Sequence, residues 1–499
     1  MRAPRVAGPT DGGKSCATGC RRRADGKRRV RETGFPAVGR SIRCFRPHMQ
    51  PAPQSDTEPA SWTAIAAHLA QLEGPRIPRR DFSASDHGIR ADGSDALPAL
   101  RAVIAACHAG GGGRVVVAPG DYLLRGPLVL LGQVELHLPR GVTLRFSGEP
   151  ADFLPPVFQR WEGTEVYSHS PLVTARGASD IAITGEGVLD GQGSRAFTAW
   201  QPIQSPDQTR LRDLGRDGAP LADRVFGAGT FLRPSFFQPI DCERVLLEGV
   251  TFRDSPFWVI HPTYCRQVII RGVTVDSLNH NNDGCDPDSC TDVLIERCTF
   301  RTGDDSIAIK SGRDQDAWRV GRPCERVLVR DCDLDSRING LCIGSEMSGG
   351  VRDVFMEDCR IAEATSALYL KSNSDRGGAI ERVAMRRIAV GRASTALVRF
   401  EPNYHSHRGG EAHPAFLNIS VSDVRCGLAD TYAFYVEGNP SRPISDVLLR
   451  NIVVDRAGDP LWLRNAQQIR FENVSIGGTL LPEQPPHTAD SAQPRELRM

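Results

Sequence analysis

Two acidic clusters lie close together in this chain: Asn281-Asn282-Asp283-Gly284-Cys285-Asp286 and Thr302-Gly303-Asp304-Asp305-Ser306. Asp283 and Asp304 are 21 residues apart. In a coiled fold whose turn is about that long, the two would sit one above the other, roughly 4.8 Å apart, and three carboxylates would share a small surface. Neighbouring side chains on a regular strand point to opposite faces, so Asp304 and Asp305 reach one cleft only if the chain bends, which Gly303 permits. Crowded carboxylates do not all ionise. Repulsion holds a proton on one while its neighbours stay basic. Hydrolysis of a glycosidic bond needs that division, because the leaving oxygen must gain a proton and a water must lose one. Two other readings exist: Asx turns that satisfy backbone amides, and oxygen ligands for Ca2+. One isolated Asp would favour the turn. Three together favour catalysis, with calcium second.

A repeat positions these residues. Cys242, Cys265, Cys290 and Cys324 each open one short phrase, which ends at Val245, Val268, Val293 and Val327. The phrase continues without its cysteine at Val354, Val383 and Val447, and Ser179-Asp180-Ile181 is its forerunner. From Val245 to Val383 successive valines stand 23, 25, 34, 27 and 29 residues apart. Units this short have no room for a crossover helix, so parallel strands of constant phase close a core by winding as a coil. The fold class is all-β, a right-handed parallel β-helix from about residue 114 to about residue 478. An antiparallel sandwich is the weaker alternative, since it would not keep one strand phase. Cys298, Cys332 and Cys359 follow their valines by five residues. All seven cysteines read as small buried hydrophobes stacked in register and unpaired.

A solenoid must cover its first rung. Residues 97–107 supply a helical cap, with the apolar stripe Leu97, Leu100, Val103 and Ile104, Asp95 as N-cap, and glycines 110–113 as terminator. A second helix near residues 62–72 is expected to pack beside it. The domain reading is a basic segment over 1–48, disordered or absent from the mature chain; a helical extension over 49–80; a catalytic β-helix over 81–480; and a polar tail over 481–499. The basic segment has 13 Lys or Arg against 3 Asp or Glu and no apolar core of a secretory signal, and Met49 is read as the true start. Cys16 and Cys20 lack a second pair at zinc spacing.

Composition excludes several classes. Lys plus Arg number 61 against 60 for Asp plus Glu, so no basic excess points to nucleic acid. No apolar run approaches the roughly 18 residues of a membrane span. Fourteen cysteines in 499 residues are too few for a disulfide scaffold.

With Gly303-Asp304-Asp305 followed by Ile307-Ala308-Ile309-Lys310-Ser311-Gly312, the chain resembles the polygalacturonases, glycoside hydrolase family 28, whose fold is a pectin lyase-like solenoid. That family orders Asn-Thr-Asp, Gly-Asp-Asp, Gly-His-Gly and Arg-Ile-Lys as these motifs are ordered here. Arg160-Trp161-Glu162-Gly163 and Ile343-Gly344-Ser345-Glu346-Met347-Ser348-Gly349-Gly350 look like its bacterial members. The resemblance implies Asp304 as general acid, Asp283 and Asp305 holding and deprotonating water, inversion at the anomeric carbon, and neither cofactor nor metal. It implies Lys371, Tyr369, Asn339, Lys310, His280 and Glu346 as substrate-binding residues, Glu346 being equally readable as a turn residue. Two departures stand out. Asn339 or Ile338 occupies the histidine position, and Tyr369-Leu370-Lys371 replaces Arg-Ile-Lys, so the carboxylate clamp keeps its lysine and loses its arginine. Arg376 and Arg399 are the candidates to reach that space. A Lys-only subsite should tolerate neutral or deoxy sugars. Trp258, Tyr404, His405 and His407 are further candidates to line the cleft.

The expected partner is a pectic polysaccharide or oligosaccharide, the expected state a monomer, and the expected location periplasmic or extracellular, with cytoplasmic processing as the rival. A calcium-dependent polysaccharide lyase and a non-catalytic carbohydrate-binding β-helix are the competing functions.

Overall fold

The computed structural model describes residues 60–404, 407–484, 486–488 and 493–495. The basic segment 1–48, with Cys16 and Cys20, lies outside these, as do Met49 and His405. From Asp81 to Ile476 the chain is a parallel β-helix, its first strand Asp81–Ser83 pairing in parallel with Gly113–Val116.

The repeated phrase is its spine. Val134, Ile181, Val245, Val268, Val293, Val327, Val354, Val383, Ile419, Val447 and Ile469 stand in one unbroken parallel register and are all buried. Each such aliphatic side chain contributes about 1.5–3 kcal/mol of burial. The residue before each of these positions from Ile181 onward is left-handed, with φ between 53° and 61°, at Asp180, Arg244, Gln267, Asp292, Arg326, Asp353, Arg382, Asn418, Asp446 and Gln468. This kink turns the coil into the strand and frees a polar side chain to face outward. Asp and Arg stack there in pairs: Asp180 with Arg244 at 2.7 Å, Asp292 with Arg326 at 2.6 Å, and Asp353 with Arg382 at 2.7 Å. The recurring charged residue is therefore set by the corner.

Two residues before the left-handed residue, cysteines line the same corner. The Sγ of Cys265, Cys290 and Cys324 donates to the carbonyl of Pro239, Pro262 and Pro287, each on the preceding rung, at 3.3, 3.1 and 3.5 Å. The cysteines of both ladders are buried and unpaired.

The helix Leu97–Ala109 closes the N-terminal end, burying Leu97, Leu100, Val103, Ile104 and Cys107 against the first rungs. Its N-cap is Ala96 rather than Asp95; Asp95 instead accepts from the Leu97 amide at 3.0 Å. The helix Ala60–Ala70 does not pack beside this cap. Trp62 and Leu69 lie on the flank of the coil over Ile269, Leu294, Leu328 and Phe355, because those four outward positions are apolar and only a helix removes them from water. Of the polar tail, Thr488 bonds Leu463 and the Arg495 amide donates to the Tyr432 hydroxyl, so these parts lie against the last rungs.

Two excursions, residues 147–171 and 191–235, leave the coil and form a wall. It comprises the antiparallel pair Val157–Trp161 and Thr164–Ser168 and the helix Ser205–Arg216, around Trp161, Val166, Leu211, Phe226, Leu232, Phe257 and Trp258.

Thiol titration tests the ladders. Few groups should react in the native protein and most after denaturation; few in both states would mean that the cysteines are bonded.

Candidate active site

One outward sheet face carries the site. Its strands pair Ile307–Ile309 with Leu341, Cys342 and Ile343, then with Leu368, Tyr369 and Leu370, then with Val398, Arg399 and Phe400. The outward column is Ala308, Cys342, Tyr369, Arg399, so small side chains floor the cleft and large ones bound it. Asp304 and Asp305 sit in the bend between the strands Thr299–Thr302 and Ile307–Ile309. Gly303 is needed there for space: a Cβ would stand 2.1 Å from the Asn279 carbonyl oxygen of the rung below. Gly284 is likewise fixed by Phe300 and the Ser306 carbonyl, each within 2.6 Å of a Cβ there.

The stacking expected from spacing is present. Carboxylate oxygens of Asp283, Asp304 and Asp305 lie within 4.8 Å of one another. Asn282 is the bracket below Asp283: its side chain accepts from Ser277 and the Asn279 amide and donates to the carbonyls of Ser255 and Phe257.

Environment divides the three acids. Asp304 is half-buried; burial, then the Asp305 charge, push it up to about 6. The Asp305 amide donates to its carboxyl at 2.9 Å, and Asn281 Nδ2 lies 3.5 Å away. Burial alone would raise Asp305, but the nearby ammonium groups of Lys371 and Lys310 and the Asn339 amide outweigh it and hold it below the usual range. Lys371 Nζ is 3.0 Å from Asp305 Oδ2, and Asn339 Nδ2 donates to Oδ1 at 2.6 Å. Asp283 is fully buried and pushed well up by burial and by Asp304. Asp305 is thus the acid held ionised.

Several residues expected to touch substrate are placed otherwise. Asn339 spends its amide on Asp305 and accepts from Thr365 at 2.8 Å, so it orients the Asp305 carboxylate. Lys371 neutralises Asp305. Lys310 is buried against Asp283, Asp286 and Glu346 at 3.6, 3.6 and 3.4 Å and caps the Trp258 ring at 4.4 Å. Trp258 is buried wall core. Glu346 is no turn residue at the surface: it is buried and paired with Arg313 and Lys310. The Tyr369 hydroxyl donates to Glu401 at 2.9 Å, and Arg399 stacks on the ring at 4.5 Å while pairing with Glu401 at 2.6 Å. Arg376 is buried against Asp314. Neither arginine therefore fills the vacant clamp position freely, and an Arg at 369 would meet Arg399 directly. His280 and His407 lie at the surface.

The sequence reading missed four participants. Asp286 lies behind Asp283, buried, pushed up by burial, and, among the described residues, without a hydrogen bond to either oxygen. Arg233 donates to Asn281 Oδ1 at 2.6 Å and so aims its amide at Asp304. Arg313 and Glu162 link the wall to Glu346. Asp286 was visible in the motif and Arg313 directly follows its Gly312, whereas Arg233 and Glu162 come from distant segments with no periodic mark. Tyr404 stands over Lys371 at 5.3 Å, beside Tyr369.

A carboxyl pushed up to about 6 beside a carboxylate held ionised, on the outer face of a parallel β-helix, is an arrangement that one class of enzyme, the carbohydrate-cleaving hydrolases, can use. The family model of glycosyl hydrolases family 28 matches residues 227–475. An exopolygalacturonase structure from Thermotoga maritima is 37% identical with a TM-score of 0.80, covering 84% of this chain and 97% of its own. A probable polygalacturonase of Vitis vinifera is 28% identical over 69% of this chain and 68% of its own, and a polygalacturonase of Ralstonia solanacearum 26% over 79% and 82%. This chain belongs to glycoside hydrolase family 28 and is a glycoside hydrolase.

The electrostatics give a pH prediction. With Asp304 as the acid and Asp305 as the base, kcat/KM should fall as pH rises through about 6 and again as pH drops far enough to protonate Asp305. Lys371 lowers both carboxyls. Lys371→Gln should therefore raise both limbs of the profile and reduce its maximum; unmoved limbs would mean that Lys371 does not set these charges.

Proposed function

We propose that this protein hydrolyses a pectic polysaccharide or oligosaccharide by direct attack of water with inversion. The observation that carries the reading is the division of charge within the triad, Asp304 at about 6 and open to the cleft, Asp305 ionised behind it. Asp304 gives its proton to the leaving glycosidic oxygen. Asp305 takes a proton from the attacking water, and Asp283, whose carboxyl burial and the Asp304 charge push well up, holds that water as a hydrogen-bond partner. This narrows the sequence reading, in which Asp283 and Asp305 shared the base.

A lyase reading requires a Lys or Arg base and fits less well. Burial favours loss of a proton from Lys310 and Lys371, but their carboxylate neighbours outweigh it and hold both ammonium groups protonated. Those two cations also already balance the acids that a Ca2+ ion would occupy.

The wall supports exo action. Glu162 Oε2 lies 3.6 Å from Arg313, Arg313 pairs with Glu346, and Glu346 lies 3.4 Å from Lys310, which faces Asp283. The relative of 37% identity is an exopolygalacturonase. A cleft walled this close to its acids accepts a chain end. Among the described residues no helix is long and apolar enough to cross a membrane. A polymeric substrate places the working location outside the cytoplasmic membrane, which cell fractionation checks.

Asp304→Asn should lower kcat by about 10² to 10⁴ with the fold intact, the usual worth of a general acid; a variant retaining a tenth of the parent rate removes Asp304 from that role. Products from polygalacturonate and rhamnogalacturonan should be saturated terminal sugars from the first minutes, unaffected by EDTA. Early mid-sized oligomers would overturn exo action, and products absorbing in the near ultraviolet would establish a lyase. The carboxylate oxygens lie nearer together than the roughly 6.5–9.5 Å between carboxyl groups usual for inversion, so proton NMR of the first-formed anomer decides that step.

A further inference from the structure

Each rung enters the cleft strand from one side and leaves it on the other; the wall meets the leaving side at Gly312, Arg313 and Glu346 and on the entering side reaches Pro256, His280 and Asn281 through Arg233. On the entering side a groove of about 420 Å³ opens between Leu278, Thr302, Asp335, Ser336, Arg337 and Glu363. It spans five successive rungs, a length of about 19 Å at the usual strand spacing. It abuts the acid itself: Thr302 Oγ1 and Ser336 Oγ both donate to the Asp304 main-chain oxygen, at 2.7 and 2.6 Å.

The charges in this groove are not spent as those in the cleft are. Lys310, Lys371, Arg313, Arg376 and Arg399 each face a carboxylate. Glu363 is matched by Arg392 at 2.7 Å, and Arg301, also on the rim, by Asp276 at 3.1 Å. Among the described residues Arg337 has no carboxylate partner. One N–H donates to the Leu278 carbonyl at 3.1 Å, which anchors the guanidinium at the rim, and the side chain is exposed. Its remaining donors form the planar fork that matches a carboxylate. Asp335, exposed and without an ion pair among the described residues, is an acceptor suited to sugar hydroxyls, and the exposed Leu278 offers an apolar surface.

We infer that this groove is a subsite for an acidic sugar of the bound chain and that Arg337 is its carboxylate ligand. The inference rests on the pectic reading above and extends it: recognition of the uronic carboxylate, vacated at Tyr369, moves to the opposite side of the acid. A chain whose end meets the wall would extend through this groove.

The test uses the full-length Asp304→Asn protein, which binds without turnover, and two probes, trigalacturonate and its methyl ester, titrated calorimetrically. Adding Arg337→Gln should weaken trigalacturonate binding by about tenfold, the order expected for one charge-assisted pair, and change the ester by less than about twofold, with Arg337→Lys intermediate. In the otherwise unaltered enzyme Arg337→Gln should raise KM for acidic oligomers and leave kcat nearly unchanged, with an unaltered circular dichroism spectrum. Equal affinity for trigalacturonate with and without Arg337, or no binding of either probe, overturns the inference. Hydrolysis of pectic oligomers that ignores Arg337 sinks the subsite and leaves the hydrolase reading standing. Arg337-dependent binding without any hydrolysis by the parent does the reverse.

Discussion

Every strand of this molecule must hydrogen-bond to the rung before and the rung after it, and that single constraint shapes the rest. Rungs about 4.8 Å apart cannot differ at their corners without breaking the ladder. Hence one left-handed residue recurs before each core aliphatic from Asp180 to Gln468. Hence also the small cysteines two residues before it, whose thiols donate to the preceding rung's carbonyls. The large irregularities are excursions that leave the coil after a strand has finished, as residues 147–171 and 191–235 do, while within the coil the register slips between Ala364 and Ser366 and between Ala429 and Tyr432.

The same stacking brings Asp283 of one rung against Asp304 and Asp305 of the next, which no local preference would favour. Buried carboxylates are costly unless charge and hydrogen bonds compensate them, and removing one partner of a buried pair typically costs about 3–5 kcal/mol. Lys371 and Lys310, also delivered by stacked rungs, supply that compensation. Because Lys371 and Asn339 act on Asp305 directly, while Asp304 keeps one face toward solvent, the pair separates into an ionised and a protonated acid. Chemistry and stability thus rest on the same contacts.

This also explains how a family clamp can lose its arginine. Tyr369 fills the place with a ring wedged between Arg399 and Lys371 and bonded to Glu401. The local charge balance stays closed, since Arg399 and Lys371 each keep a carboxylate partner.

Much of this was legible in the residues alone. The valine phrase, the 21-residue step from Asp283 to Asp304 and the bend at Gly303 depend only on register, which a repetitive chain writes openly in its sequence. The capping helix was legible for the same reason, as a periodic apolar stripe. What register does not carry is the destination of a long side chain. Lys371, Asn339 and Glu346 have the chemistry of sugar ligands, and only the three-dimensional packing decided that the first two serve Asp305 and the third a buried arginine. Arg233 and Glu162 reach the site from segments outside the repeat, and the flanking helix found its apolar strip on the middle rungs rather than at the cap. Periodicity determines which residues stack; the contacts of side chains several bonds long, and of segments that leave the coil, depend on which surface is left uncovered and which charge is left unmatched.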